Sequence, residues 1–198
     1  CVFGLIDTQA LGAEIHKRFY EGYRDVTLPH KFKIAVGGCP NNCVKPDLND
    51  VGIIGQRKPK LNEEKCHQCK KCVVEMECPM GAAVVGENGR PVYNEEICNN
   101  CGRCIRKCPF GAPEETMSGY KVVIGGRWGK SIRIGSPLHQ IFTKEEALDM
   151  VEKAILLFKE KGLPGERFST TIERLGLDNV EKELMGNELL ERKAEILG

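Results

Sequence analysis

LNEEKCHQCKKC at 61–72 and YNEEICNNCGRC at 93–104 align without a gap, and the match continues from Cys78-Pro-Met-Gly-Ala to Cys108-Pro-Phe-Gly-Ala. The chain therefore contains an internal repeat. Each copy presents three cysteines with two residues between neighbours, then a fourth cysteine followed by proline. Five residues precede that fourth cysteine in the first copy and three in the second. Ala83–Val92 (AVVGENGRPV) joins the copies and reads as strand, glycine turn and strand.

Two residues between successive cysteines let one short loop wrap three thiolates around an iron–sulfur cube, while the fourth ligand arrives from elsewhere. The proline after that last cysteine has a fixed φ and no amide donor, so it turns the chain away after ligation. Zinc also takes four cysteines, but its sites pair two short Cys-x-x-Cys knuckles rather than two such triplets. Eleven cysteines in all, odd in number and without a secretory signal, fit a disulfide framework poorly.

The whole block resembles the bacterial two-cluster ferredoxins. In that pattern the fourth cysteine of each run serves the other cluster. The resemblance thus implies one [4Fe–4S] centre on Cys66, Cys69, Cys72 and Cys108, and a second on Cys98, Cys101, Cys104 and Cys78. Amides beside Gly81, Gly102 and Gly111 are candidate donors to cluster sulfur. Glu63, Glu64, Glu95 and Glu96 read as solvated turn residues, the alternative being a docking face for a basic donor.

Working outward, 198 residues with 41% hydrophobic content allow one medium domain and a small inserted one. With 29 basic and 28 acidic residues the net charge is +1, so no global field favours nucleic acid or a membrane surface. No apolar run approaches the ~20 residues of a bilayer span and no signal-peptide order is present, which predicts a cytoplasmic protein. The chain opens at Cys1, inside a motif, and reads as a fragment.

Residues 8–20 place Leu11, Ile15 and Phe19 on one helical face after Asp7 or Thr8 as cap, with Gly22 as terminator. Residues 31–37 (KFKIAVG) read as a strand, and Val51–Ile54 as a second short one. Beyond the block, Tyr120–Gly125 and Ser131–Ile134 read as strands around GGRWG. Thr143 caps a helix to about Lys161, whose buried face is Ala147, Val151, Ala154, Ile155 and Phe158, with Gly162-Leu-Pro as the stop. Weaker helices at about 166–175 and 178–186 precede a charged, fraying last dozen residues.

Cys39 and Cys43 lie apart from the block, in GGCPNNC, and a Cys-x-x-x-Cys pair alone reads equally as buried structural cysteines. Residues 28–55, LPHKFKIAVGGCPNNCVKPDLNDVGIIG, resemble the segment of sirohaem-dependent sulfite and nitrite reductases that supplies half of their sirohaem-coupled [4Fe–4S] site. CVFGLIDTQAL at the start resembles the stretch that begins at the second cysteine of that family's first pair, and YKVVIGGRWGKSIRIG at 120–135 resembles the strand and glycine turn with which its fold resumes. The resemblance implies Cys1, Cys39 and Cys43 as ligands of the coupled cluster, with Cys43 bridging to the sirohaem iron. It implies Lys31 and Lys33 as substrate lysines, and in a strand these project to one face, where two ammonium groups suit an oxyanion. Lys45, Arg127, Lys130 and Arg133 are candidate partners for sirohaem carboxylates, and the Gly125 and Gly126 amides a candidate anion nest. His16, His30, His67 and His139 have no ligand spacing and read as structural.

The expected architecture is α+β: the C-terminal half of a sulfite reductase sirohaem-binding fold with an inserted ferredoxin-like domain. Its segments are 1–60 and 116–198 for the reductase parts and 61–115 for the insert. The resemblance, closest to dissimilatory and anaerobic sulfite reductases, implies an oxidoreductase that relays electrons from ferredoxin-type clusters to a sirohaem-coupled centre for six-electron reduction of sulfite or nitrite. It further implies an electron-donor protein or subunit and a homo- or hetero-oligomer. This stretch alone, lacking a fourth ligand for the coupled cluster, is expected to hold little sirohaem and to be inactive by itself. The competing reading is a non-catalytic ferredoxin-type carrier on a reductase-like scaffold.

Overall fold

Apolar, β-branched segments on both sides of the cysteine block form one sheet, and the block hangs from it. The computed structural model describes residues 1–198. Its strands are β1 (Ile34–Gly37), β2 (Val51–Leu61), β3 (Ala83–Val85), β4 (Pro91–Tyr93), β5 (Pro113–Ile124) and β6 (Ser136–Pro137). The main sheet has the order β1-β2-β5-β6, while β3 and β4 form a separate hairpin. β1 runs parallel to β2 with Ile34 opposite Val51, and β5 runs antiparallel to β2 from Val51↔Ile124 to Leu61↔Pro113.

The proximal halves of β2 and β5 bury Val51, Ile53, Val122 and Ile124 completely. Their distal halves leave the sheet as a two-stranded ribbon. A bulge between Lys58 and Pro59 pairs Lys58 with Met117 and Pro59 with Glu115, and Pro59 has no amide to give the ladder there. The boundaries expected at 60/61 and 115/116 thus fall at the tip of β2 and inside β5, two strands that serve both regions.

Helix α1 (Thr8–Ile15) starts at Asp7, whose carboxylate accepts the Gln9 and Ala10 amides at 3.0 Å, and continues as a π-helical turn over His16–Glu21. Leu11, Ile15 and Phe19 are buried as expected. Within the block, α2 (Val73–Met76) and α3 (Arg103–Lys107) follow the two triplets. Helix α4 (Lys144–Lys161) has a full capping box between Thr143 and Glu146, an arrangement worth about 1 kcal/mol. It supplies the centre of a 24-residue core. Phe158 meets Phe168 at 5.4 Å and Phe32 at 5.9 Å between ring centroids. Helices α5 (Phe168–Leu175), α6 (Leu177–Met185), α7 (Glu188–Glu191) and α8 (Lys193–Leu197) complete the chain.

Four local expectations differ from the structure. β1 begins only at Ile34, because the Lys33 amide donates to the Asp50 carboxylate at 2.9 Å instead of joining the ladder. β2 is eleven residues long rather than four. Ser131–Ile134 is not a strand: Arg133 makes a lone bridge to Arg127, and β6 lies at Ser136–Pro137. The last dozen residues are not frayed. Leu189 is buried, Lys193 donates to buried Glu152 at 2.6 Å, and Arg192 donates to Glu160 at 2.5 Å.

Candidate metal centres and the cysteine loop

Each triplet meets the fourth cysteine of the other copy. Cys66, Cys69, Cys72 and Cys108 line a cavity of about 340 Å³ at the ribbon tip, closed by Leu61 and Ala112. Cys98, Cys101, Cys104 and Cys78 line a tighter space of about 20 Å³ beside Pro59 and Tyr93. Contacts between α2 and α3 bring the two fourth cysteines across. Turns at Gly81 (φ 62°) and Gly111 (φ 64°) follow them, and the Ala82 amide donates to the Cys78 sulfur at 3.3 Å. Gly102 (φ 62°) must be glycine, since a Cβ there would lie 2.6 Å from the Arg57 side chain.

The second quartet is electrostatically unsuited to bare thiolates. Burial pushes the Cys98 and Cys104 thiols up, and burial likewise raises Tyr93, with the Cys104 sulfur beside it as the next cause. The Tyr93 hydroxyl is buried and completes no hydrogen bond. A cationic, sulfur-rich group bound among these side chains would supply both the charge and the acceptor that they lack.

The cysteine groups stand in order along β2. Gly55 abuts the Gly38 carbonyl, next to Cys39. Arg57 bridges Cys101, its amide donating to Asn100 at 2.7 Å, and Leu61 reaches the first quartet. At a strand rise of about 3.3 Å these steps are about 7 and 13 Å. The groups are therefore ordered as Cys39 loop, second quartet, first quartet.

The Cys39 loop joins β1 to β2. Asn42 (φ 55°) and Lys45 (φ 50°) adopt left-handed backbone within it, and the Asn42 side-chain oxygen is buried without a partner. Cys1 lies within one turn of the same loop: Gly4 donates to the Cys1 carbonyl at 3.0 Å and Leu5 to the Gly38 carbonyl at 2.8 Å. Lys45 places its ammonium 5.4 Å from the Trp128 ring centroid. The loops carrying these groups expose large apolar side chains: Val2, Phe3, Val44, Trp128, Ile132 and Ile134.

The basic candidates separate. Arg133 is committed internally, to the Gly125 carbonyl at 2.7 Å, to Ser136 at 3.1 Å and to Glu173 at 3.1 Å. Arg127 spends its donors on Ser131 and Thr170. Arg133 is thus paired with an acid of the chain itself, whereas Arg127 forms no ion pair, and Lys45 and Lys130 are exposed. The Gly125–Gly126 nest is also closed, because Gly125 donates to the Asp50 carbonyl at 2.8 Å. Lys31 and Lys33 are exposed on either side of the half-buried Phe32, ahead of β1. They leave the opposite end of β1 from Cys39, about 13 Å of strand away.

Residues 1–193 match the family described as the nitrite and sulphite reductase 4Fe-4S domain. The chain belongs to this family. Among curated relatives, the coenzyme F420-dependent sulfite reductase of Methanocaldococcus jannaschii is 37% identical over 196 residues, covering 96% of this chain and 30% of that protein. One subunit of the anaerobic sulfite reductase of Salmonella typhimurium is 29% identical over 164 residues, covering 81% and 46%. The chain thus spans less than half the length of these two family members. Among solved structures, dissimilatory sulfite reductase I superposes with a TM-score of 0.67 at 22% identity, over 93% of this chain and 49% of that one. This bears out the sulfite reductase fold. No helix is long and apolar enough to cross a membrane.

Within this nitrite and sulphite reductase fold, some site residues escaped the sequence reading. Tyr93 could have been found from the repeat, where it aligns with Leu61 and so gives only one quartet a hydroxyl. His67 stacks on Phe110 at 4.1 Å across the mouth of the first quartet. Nothing in its spacing pointed there, since a ring stacked on a side chain 43 positions later leaves no local signal.

Proposed function

We propose that this chain is the iron–sulfur electron-transfer portion of a sirohaem-dependent sulfite or nitrite reductase. In this reading Cys66, Cys69, Cys72 and Cys108 hold one [4Fe–4S] cluster and Cys98, Cys101, Cys104 and Cys78 a second. The carrying observation is the crossing of the two runs into quartets set in order along β2. The sulfurs of the first quartet line a volume that suits a cube.

Cys1, Cys39 and Cys43 supply three ligands of a sirohaem-coupled cluster, with Cys43 as the bridging thiolate. The exposed apolar side chains around them fit a macrocycle, and Lys45 and Lys130 fit its carboxylates. Lys31 and Lys33, at the far end of β1 from Cys39, would serve the substrate oxyanion. Clusters and sirohaem supply the redox chemistry when bound; the protein orders, insulates and tunes them.

Substituting Cys43 by Ser in the whole protein tests the catalytic half of the reading. Sulfite- and nitrite-dependent turnover is expected to vanish while the iron of the two ferredoxin-type clusters stays. Turnover that survives the change removes the bridging role and favours a non-catalytic carrier.

A further inference from the structure

The geometry points to the mouth of the first quartet, around Cys69, Lys71, Lys107 and Phe110, as the docking site of a small acidic one-electron carrier protein. The inference rests on the cluster reading above and goes beyond it by naming the place and the charge of the partner.

The first quartet sits at the ribbon tip, farthest along β2 from the Cys39 loop, so a carrier that meets it approaches the cysteine group most remote from the reductase sheet. Cys69 is solvent-exposed there, and the cavity around it is open enough for about 340 Å³. The second quartet encloses far less space.

The only charged side chains lining the first cavity are Lys71 and Lys107. Lys70, Lys71 and Arg106 are exposed without an ion-pair partner, and Lys107 has only a 3.5 Å contact to Glu77, which Arg103 already holds at 2.8 Å. Of the neighbouring acids, Glu63 pairs with Arg90 and Glu114 with Lys65, and no acidic side chain lines the cavity itself. An acidic face for a basic donor is not favoured at this mouth, where no carboxylate lines the cavity. Phe110, 46% exposed and stacked on His67, supplies an apolar anchor inside the basic rim, an arrangement suited to transient electron-transfer contacts. In the contact one electron leaves the reduced carrier and reduces the cluster held by the four sulfurs; no bond forms or breaks.

The test uses the full chain with its clusters and an acidic plant-type [2Fe–2S] ferredoxin as probe, with binding followed by calorimetry. Affinity is expected to fall about tenfold or more between roughly 20 and 200 mM salt, as screening of an exposed charged contact requires. K71E/K107E is expected to weaken low-salt binding at least about tenfold, K71Q/K107Q to fall between it and the parent, and the remote reversal K17E to change nothing. Affinity indifferent to salt, or a K71E/K107E variant that binds like K17E, overturns the docking site. Iron content, measured on the same samples, reports separately on the cluster reading.

Discussion

Tyr93 occupies in the second repeat the place that Leu61 occupies in the first, and this one difference gives the two quartets different chemistry. A hydroxyl donating to cluster sulfur stabilises the more negative, reduced state and raises its potential. Y93F is therefore expected to move one midpoint potential downward and leave the other in place, as read by an EPR-monitored redox titration. A shift of both, or of neither, contradicts the assignment. The crossed ligand sets make a second prediction at this scale. C78S is expected to remove the same EPR signal as C101S, and C108S the same signal as C69S, whereas uncrossed ligation would pair C78S with C69S. The cysteine quartets were legible because ligand spacing is local and the repeat displays it twice. The fates of Arg127 and Arg133 were not, because their partners Thr170 and Glu173 lie some forty residues on, where no pattern in GGRWGKSIR announces them.

Among the elements, α4 was the most readable, since cap, apolar period and stop all agree, and T143A is expected to cost about 1 kcal/mol in urea unfolding. Strands β2 and β5 were the least readable. Their distal halves, Gln56–Leu61 and Pro113–Gly119, are polar, carry two prolines and pair mainly with each other, so neither alternation nor β-propensity marks them. The segment after α4 holds a pH-sensitive tie. Hydrogen bonds from Arg174, joined by the Leu163 amide and the Thr171 hydroxyl, hold Glu166 down at about 2, below its ordinary 4.5. A carboxyl depressed in the folded state adds stability that is complete above its unfolded value and lost as pH falls through the folded one. Parent and E166Q stabilities are thus expected to converge between pH 4.5 and about 2 and to differ above it. A constant difference across that range contradicts the tie.

At the level of the whole molecule, the last helices close the core rather than trail from it. Burial works against a charged Glu152, but donors from Lys193, Tyr23 and Arg18 outweigh it and hold its carboxyl below the usual range. One acid of α4 thereby fastens the π-helical turn and α8 together. L189A, which removes a buried side chain from the last turn-rich stretch, is expected to destabilise by about 2–3 kcal/mol in chemical unfolding. The expectation of a frayed end failed because charge dominates the local composition there, while the anchoring acid lies some forty positions away.

Whether one chain holds two clusters on crossed quartets is decided by counting metal in anaerobically purified protein together with its C78S/C108S double variant. About eight iron atoms per chain are expected from these two sites, with a visible absorption that bleaches on reduction and loss of both EPR signals in the double variant. About one zinc per quartet, with no such absorption, would contradict this expectation.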